Sequence, residues 1–332
     1  MESSRRNLKN TILCGIVLLV LCLLSLRLGS AKMTWQEFFR ALSDTNKQTP
    51  FGVILYSVRL PRIAGAIISG AGLGMSGAIL QTIVGNKMAS PNLVGVNSGA
   101  GFAVIVSLSL FPSLFAFTPF FAMVGAFVAT LFIIGLSKKI GMTRNTVILV
   151  GLALSSILSA GISLVTLLDS DILVSYNAFS IGSLSSVSFD DLYIPFFMVV
   201  LSLITGLIMA DKLDILTLGD STAHSLGINV NRTRMICMLV ASACASAAVS
   251  FAGLLGFVGL MAPHIARFFF DERAKHMIPS SAVIGAVLVV ISDLMGRTLF
   301  SPSELPAGIF LALSGAPFFL LLLIAGRRNH NA

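Results

Sequence analysis

From Thr146 to Leu167 the chain runs through 22 consecutive residues without one Asp, Glu, Lys or Arg. About 20 such residues, wound as a helix, match the roughly 30 Å hydrocarbon core of a bilayer. Helix is required there, because lipid offers the backbone no hydrogen-bonding partner. Similar runs lie near 11–29, 62–84, 93–112, 118–136, 193–210, 234–254, 279–299 and 306–325, and a shorter one covers 257–270. Charged residues make up only 11% of the chain, against about 25% in soluble domains. These features predict an all-α integral membrane protein in which residues 1–332 form one transmembrane domain.

The basic residues set the orientation. Positive charge collects on the cytoplasmic flanks of spans. With a cytoplasmic N-terminus (1–10) and ten crossings, 15 of the 22 Lys and Arg residues fall inside, including Arg327 and Arg328 in a cytoplasmic C-terminus (326–332). The segment 168–192, with Asp169, Asp171, Asp190 and Asp191 and no basic residue, then falls outside. Nine crossings would strand Arg327 and Arg328 outside, so ten are expected. Arg5, Arg6 and Lys9 ahead of Thr11–Leu24 mimic a signal peptide, but in a chain with this many later spans the segment reads as an uncleaved first helix. The net charge of +8 follows from this bias and calls for no nucleic acid.

Catalytic chemistry finds no foothold. "GLGMSG" (72–77) has the glycines of a dinucleotide fingerprint but lies within a span and has no acid downstream. Gly70 with Gly74, and Gly95 with Gly99, are instead small residues at the spacing that lets membrane helices approach closely. The chain contains no Gly-Lys dipeptide and hence no phosphate-binding loop, so nucleotide chemistry would belong to another chain. Cys14, Cys22, Cys237 and Cys244 lack metal-ligand spacing, and His224, His264, His276 and His330 are scattered. No catalytic, cofactor-binding or metal-ligating set is expected. Apart from Asp293 the spans hold no carboxylate, which argues against an ion-coupled secondary transporter.

Two features remain. Residues 211–233 read as two short helices joined at Gly219, with Asp220 as cap of the second, Ala223 and Leu226 on one face, and Gly227 as the stop. Such an inner knob suits docking into a partner's groove, with a plain connector as the alternative reading. Arg59, Arg62 and Arg297 lie at outer span ends, against the charge bias. For Arg297 the plain alternative is a pair with Asp293 four residues earlier. "GFVGLMAPHIAR" (256–267) suggests close packing at Gly256 and Gly259, a break at Pro263, and a packing or capping role for His264.

"VRLPR", "GAGLGMSGAILQ", "ASPNLVGVNSGAG", "FSIGSLSSVSF", "LGDSTAHSLGINVNRTR", "GFVGLMAPHIAR", "SDLMGRTL" and "ELPAGIFLALSGAPFFLLLL" occur in that order from about 57 to 325. Together they resemble FecCD-type permease subunits of iron-siderophore, haem and cobalamin ABC importers. Lys87, Leu254, Phe179 and Phe189 depart from the family's usual residues. The resemblance implies a ten-span BtuC-like fold and a dimer with a second, identical or similar permease in a bacterial cytoplasmic membrane. It also implies two cytoplasmic ATPases and an extracytoplasmic binding protein as partners, and no enzymatic step on this chain. A ferric siderophore is the implied substrate, with haem or cobalamin as the alternative. Leu218, Gly219, Asp220, Ser221, Ala223, Leu226 and Gly227 would contact the ATPase, and Arg59, Arg62 and Arg297 would receive acids of the binding protein.

Overall fold

The computed structural model describes residues 2–31 and 33–328. Lys32, His330 and the end of the expected cytoplasmic tail, 329–332, lie outside the described residues. The chain is built from helices joined by short connections, and no strand occurs among the described residues.

The helices along the chain are α1 (Glu2–Arg27), α2 (Trp35–Ser43), α3 (Leu60–Val84), α4 (Val96–Leu110) and α5 (Thr118–Ile140). After them come α6 (Arg144–Leu168), α7 (Leu173–Ile181), α8 (Tyr193–Ile208), α9 (Ala210–Thr217) and α10 (Asp220–Ser225). The last four are α11 (Val230–Ala252), α12 (Val258–Phe269), α13 (Ala274–Thr298) and α14 (Ala307–Arg328). Seven helical segments are long and apolar enough to cross a membrane, while Val96–Leu110 and Ala307–Leu322 are shorter apolar helices. The expected ten is therefore not matched by ten long helices. Helix α12, with 12 residues, rises only about 18 Å, and the non-helical segment 253–257 precedes it. The expected break at Pro263 falls elsewhere: α12 runs through Pro263, and the turn is made at Phe257, whose φ is 63°. Two helices were not anticipated, α2 after the first span and α7 within the acidic segment 168–192.

The end where α1 starts is called inner below, and the opposite end outer. At the centre α3 lies against α13, α12 and α11 with almost no side chain between the backbones. A Cβ on Gly70 would stand 2.3 Å from the Gly285 carbonyl oxygen, one on Gly74 2.1 Å from that of Ser281, and one on Gly77 1.8 Å from that of Gly259. On its other face, Gly72 would meet the Cys244 carbonyl oxygen at 2.8 Å. Glycines every few residues thus make α3 a post that neighbours approach on several sides. Gly99 of α4 and Gly125 of α5 form a second contact of this kind, at 2.5 and 2.4 Å from each other's carbonyl oxygens. Gly95 serves differently, as the left-handed N-cap of α4 (φ 68°). Gly259 is crowded by Pro91, but a Cβ on Gly256 would meet no atom within 4 Å, so the expected close packing there is absent. Ser, Ala and Cys fill the rest of the centre: Ser242 of α11 donates to Thr130 of α5 at 2.7 Å, and Cys237 and Cys244 are buried free thiols.

The periphery is apolar. Ile12, Leu13, Ile16, Leu19 and Leu23 of α1 are all more than half exposed, as suits side chains whose solvent is lipid. Helix α6 shows the same, with only 17% of its apolar window buried.

Valine at Gly74 or Gly285 is expected to force α3 and α13 apart and lower thermal stability in detergent by about 1–3 kcal/mol. Gly15→Val, where no atom lies within 4 Å of the added group, should leave the unfolding curve in place.

Candidate functional site: an ionic clamp and an inner knob

At the outer end a turn of π-helix, Ile54–Arg59, leads directly into α3. Such turns displace the helical register and often mark functional positions. Arg59 on this turn is 3% exposed and aims at the end of α1, where Nη1 donates to the Leu26 and Arg27 carbonyls and Nη2 to that of Ala31, each at 2.6 Å. The Leu26 and Arg27 carbonyls are ones that the end of α1 leaves unpaired, and Ala31 lies in the connection beyond it.

Arg62, one turn further and also 3% exposed, joins three segments. Nε donates to Asp293 Oδ1 of α13 at 2.8 Å, and Nη1 to Glu304 Oε2 in the α13–α14 turn at 2.5 Å. Asp293 also takes Arg297 Nε at 3.0 Å, the intrahelical pair weighed from the sequence, and Arg297 Nη2 reaches the Ser25 hydroxyl of α1. Glu304 accepts a further bond from Ser30 Oγ at 2.6 Å. Burial raises the Glu304 pKa, but the bonds from Ser30 and Arg62 and the nearby positive charge outweigh it and hold this carboxyl below its usual 4.5.

The outer arginines are therefore not the free donors that docking would require. All three guanidiniums are buried and engaged by this chain's own atoms, so the reading as an exposed docking rim is corrected. They close a clamp over α1, α3, α13 and the turn after α13. The spacing of Arg59 and Arg62 was visible in the sequence, but their partners lie more than 25 residues away and Glu304 carried no local signal.

At the inner end the expected pair of short helices is present as α9 and α10, joined through Leu218 and Gly219. Gly219 has a φ of 104° and open space around it, so it serves as the swivel between them. Asp220 is not the cap: Gly219 occupies that position. Instead, Asp220 binds Arg234 Nη2 with both oxygens, at 2.9 and 3.1 Å, and lies 3.6 Å from Arg144 Nε. Arg234, 1% exposed, also donates to the carbonyls of Met142 and Ile83, and Arg144 donates to that of Leu216 at 2.8 Å. One buried arginine thus fastens α10 to α11, to the α5–α6 turn and to the foot of α3. The local sequence does not single it out, because Arg234 stands at the very start of its apolar run with Arg232 two residues before it.

The expected shared face of Ala223 and Leu226 is also corrected. Ala223 is fully buried, whereas Leu218 and Leu226 stand 62% and 58% exposed. Ser221 lies in α10, and Gly227 ends the knob with φ 80°. Open concavities lie beside the knob. One, of about 670 Å³, is lined in part by Met142, Thr143, Asp220 and His224, and another, of about 770 Å³, by Asp214, Leu218, Asp271 and Arg273. Asp214 Oδ1 accepts the Ala274 N–H at 2.7 Å. It satisfies a free donor at the start of α13, so the knob and that helix share a hydrogen bond. Nearby, Lys87 meets Glu272 at 3.4 Å. His264 packs between Phe268 and Phe318, with ring centroids 5.8 and 5.9 Å away. No group of three or more potential metal ligands occurs among the described residues.

A glycine-packed bundle in which seven helical segments are long and apolar enough to cross a membrane fits a multi-pass membrane protein. The chain matches the FecCD transport family over residues 17–325. It belongs to that family. Among its relatives, the Fe(3+)-citrate import system permease protein YfmE of Bacillus subtilis (strain 168) is 34% identical over 325 residues, covering 97% of this chain and 96% of the relative. The hemin transport system permease protein HmuU of Yersinia pestis is 32% identical, covering 96% and 97%. A solved structure of a metal-chelate type ABC transporter in an inward-facing conformation aligns with a TM-score of 0.81 at 26% identity, over 96% of this chain and 99% of that one.

Removing one partner of a buried ion pair costs about 3–5 kcal/mol, so Arg62→Leu is expected to destabilise the protein by that order in a thermal unfolding assay. A merely docking arginine would leave the curve unmoved. The Glu304 pKa is lowered on folding, so its contribution is full above about pH 4.5 and is lost as the pH falls through the depressed folded value. Wild-type stability should fall in that acid window, and Glu304→Gln should fall less.

Proposed function

We propose that this chain is the permease subunit of an ABC importer that carries a ferric siderophore across the bacterial cytoplasmic membrane. Family membership over nearly the whole chain carries the reading, and the inner knob gives it a mechanical basis. Two copies, or this chain and a similar one, enclose the path between them. The openly exposed α6 leaves a face free for such a second subunit. The chain crosses ten times, α4, α12 and α14 making three of the crossings, and both termini lie in the cytoplasm.

Two separate ATPases seat the knob in their grooves and hydrolyse ATP, while the permease catalyses no covalent step. Leu218 and Leu226 supply the apolar contact, with Gly219, Asp220, Ser221 and Gly227 shaping the turn that presents them. Movement of the gripped knob passes through Arg234 to α11, α3 and the α5–α6 turn, and through Asp214 to α13. The path then opens alternately to either side. A binding protein delivers the substrate at the outer end, where an incoming acid reaches Arg62 only by displacing Glu304. Siderophore is preferred among citrate, haem, cobalamin and siderophore chelates as the commonest cargo of this family.

The decisive experiment reconstitutes the chain with its cognate ATPase and binding protein and follows radioactive iron presented as a ferric siderophore. Vanadate-sensitive uptake that survives an uncoupler is expected. Uptake collapsed by the uncoupler would mark an ion-coupled transporter, and competition by haem or cobalamin would reassign the cargo. For the knob, Leu218→Arg with Leu226→Arg should abolish ATPase co-purification while leaving the unfolding curve in place, because both side chains are exposed. Ala223→Arg should instead unfold the knob itself. A reporter active only outside the cytoplasm, fused after the last residue, should stay silent.

A further inference from the structure

The connection between α1 and α3 carries a feature that import does not use. Helix α2 opens with a complete capping box: the Thr34 side chain accepts from the Glu37 N–H, and the Glu37 carboxylate accepts from the Thr34 N–H at 2.8 Å. A nine-residue helix bounded this firmly is a built element. Trp35, Phe39 and Leu42 follow at i, i+4 and i+7, on one face, and are 57%, 60% and 49% exposed. Ala41, pointing the other way, is fully buried. Two rings and a leucine in water, on a helix that could bury them, would be an unfavourable arrangement.

The surroundings identify what covers this face. Leu23, Leu24 and Leu28 at the outer end of α1 are exposed to lipid, and Val53 and Val58 on the far side of α2 are exposed as well, so the apolar surface of the spans continues onto α2. The Arg27 guanidinium stacks 3.8 Å above the Trp35 ring and links the two helices. The Tyr56 hydroxyl donates to the Leu42 carbonyl at 2.7 Å, and Arg59 holds the Ala31 carbonyl, so α2 is tied to the π-turn that starts α3. Both acids of the segment are spent on its own backbone: Glu37 closes the capping box, and Asp44 accepts from Gln48 and Thr49. The exposed charges that remain in the described segment are basic, Arg40 and Lys47, with the half-buried Arg27 beside Trp35. An aromatic face beside basic residues, at the depth where a span ends, is the composition of a helix that lies in a membrane interface.

We propose that α2 is an interfacial anchor, with Trp35, Phe39 and Leu42 immersed at the headgroup boundary of the outer leaflet and Arg27 and Arg40 at the level of the lipid phosphates. The anchor fixes the depth of the outer clamp, because Tyr56 and Arg59 join α2 to the helix turn from which the clamp is built. It concerns lipid alone and holds whatever the permease carries.

Trp35 is the single tryptophan of the chain, so its fluorescence reports this site alone. The full-length permease is placed in phosphatidylcholine vesicles containing lipid brominated near the carbonyl end of the acyl chain. Loss of at least about half of the emission is expected, with much weaker quenching by aqueous acrylamide. Phe39→Ser with Leu42→Ser should shift the emission to the red and cut the lipid quenching while Gly-packed spans and unfolding temperature stay as they are. Strong acrylamide quenching without bromine quenching would show α2 standing in water and overturn the proposal. Protection from both quenchers would show a protein surface, either a partner or a second copy, and would overturn it equally.

Discussion

The architecture rests on one backbone-to-backbone seam. Along α3, Gly70, Gly74 and Gly77 bring the helix so close to α13 and α12 that a single added carbon at each would fall within 2.3 Å of a carbonyl oxygen. Lipid provides no hydrophobic drive for helices to associate, so contact area at short range has to supply the attraction. The seam also explains why the polar clusters sit at its ends. With no room between α3 and α13 for long side chains, the charges that tie the two helices together act where the contact opens, at Arg62 and Asp293 outside, while at the inner end α13 is held instead by Asp214 of α9, which accepts the Ala274 N–H.

Those two ends are connected through α13. Its first free N–H is taken by Asp214 of the knob, and its last turns present Asp293 and Arg297 to Arg62 and Ser25. A helix held at both ends and pressed against a rigid post along its length moves as a body. Interior packing resists continuous deformation, so displacement of the knob is passed on as displacement rather than absorbed. Arg234 strengthens the inner end, since a fully buried guanidinium with four acceptors cannot release Asp220 without leaving a charge unpaired.

What could be read from the sequence depended on the range of the interaction. The spans were legible because length and hydropathy are local properties, and helix starts such as Leu60, Thr118 and Arg144 lie within two residues of the expected edges, whereas Ala274 starts five residues ahead of its own. The jointed knob at Gly219 was legible for the same reason. The roles of Asp220 and Ala223 were not, because capping and facing inward give identical local patterns and only Arg234, fourteen residues on, separates them. Arg59 and Arg62 were noticed as misplaced charge but assigned to a partner. Their acceptors lie on α1, α13 and the turn after it, and no spacing rule links residue 62 to residues 293 and 304. Helix α2 was missed because nine residues between two spans read as loop when charge is counted and the capping box is not.

The buried clamp changes how the outer end can work. A rim of free arginines would bind acidic partners by simple attraction, quickly and with strong salt dependence. A rim whose arginines are already satisfied from within can exchange partners only through the group that is partly in solvent, and of the two acids in the clamp only Glu304 is: its side chain is 31% exposed, against 2% for Asp293. Any outside event that recruits Arg62 must therefore first loosen the α13–α14 turn. That turn follows the very helix that the knob holds at its other end, so loosening it outside and moving α13 inside act on the same rigid element. Two distant sites that bias one shared element are coupled in free energy, and the coupling runs equally in both directions.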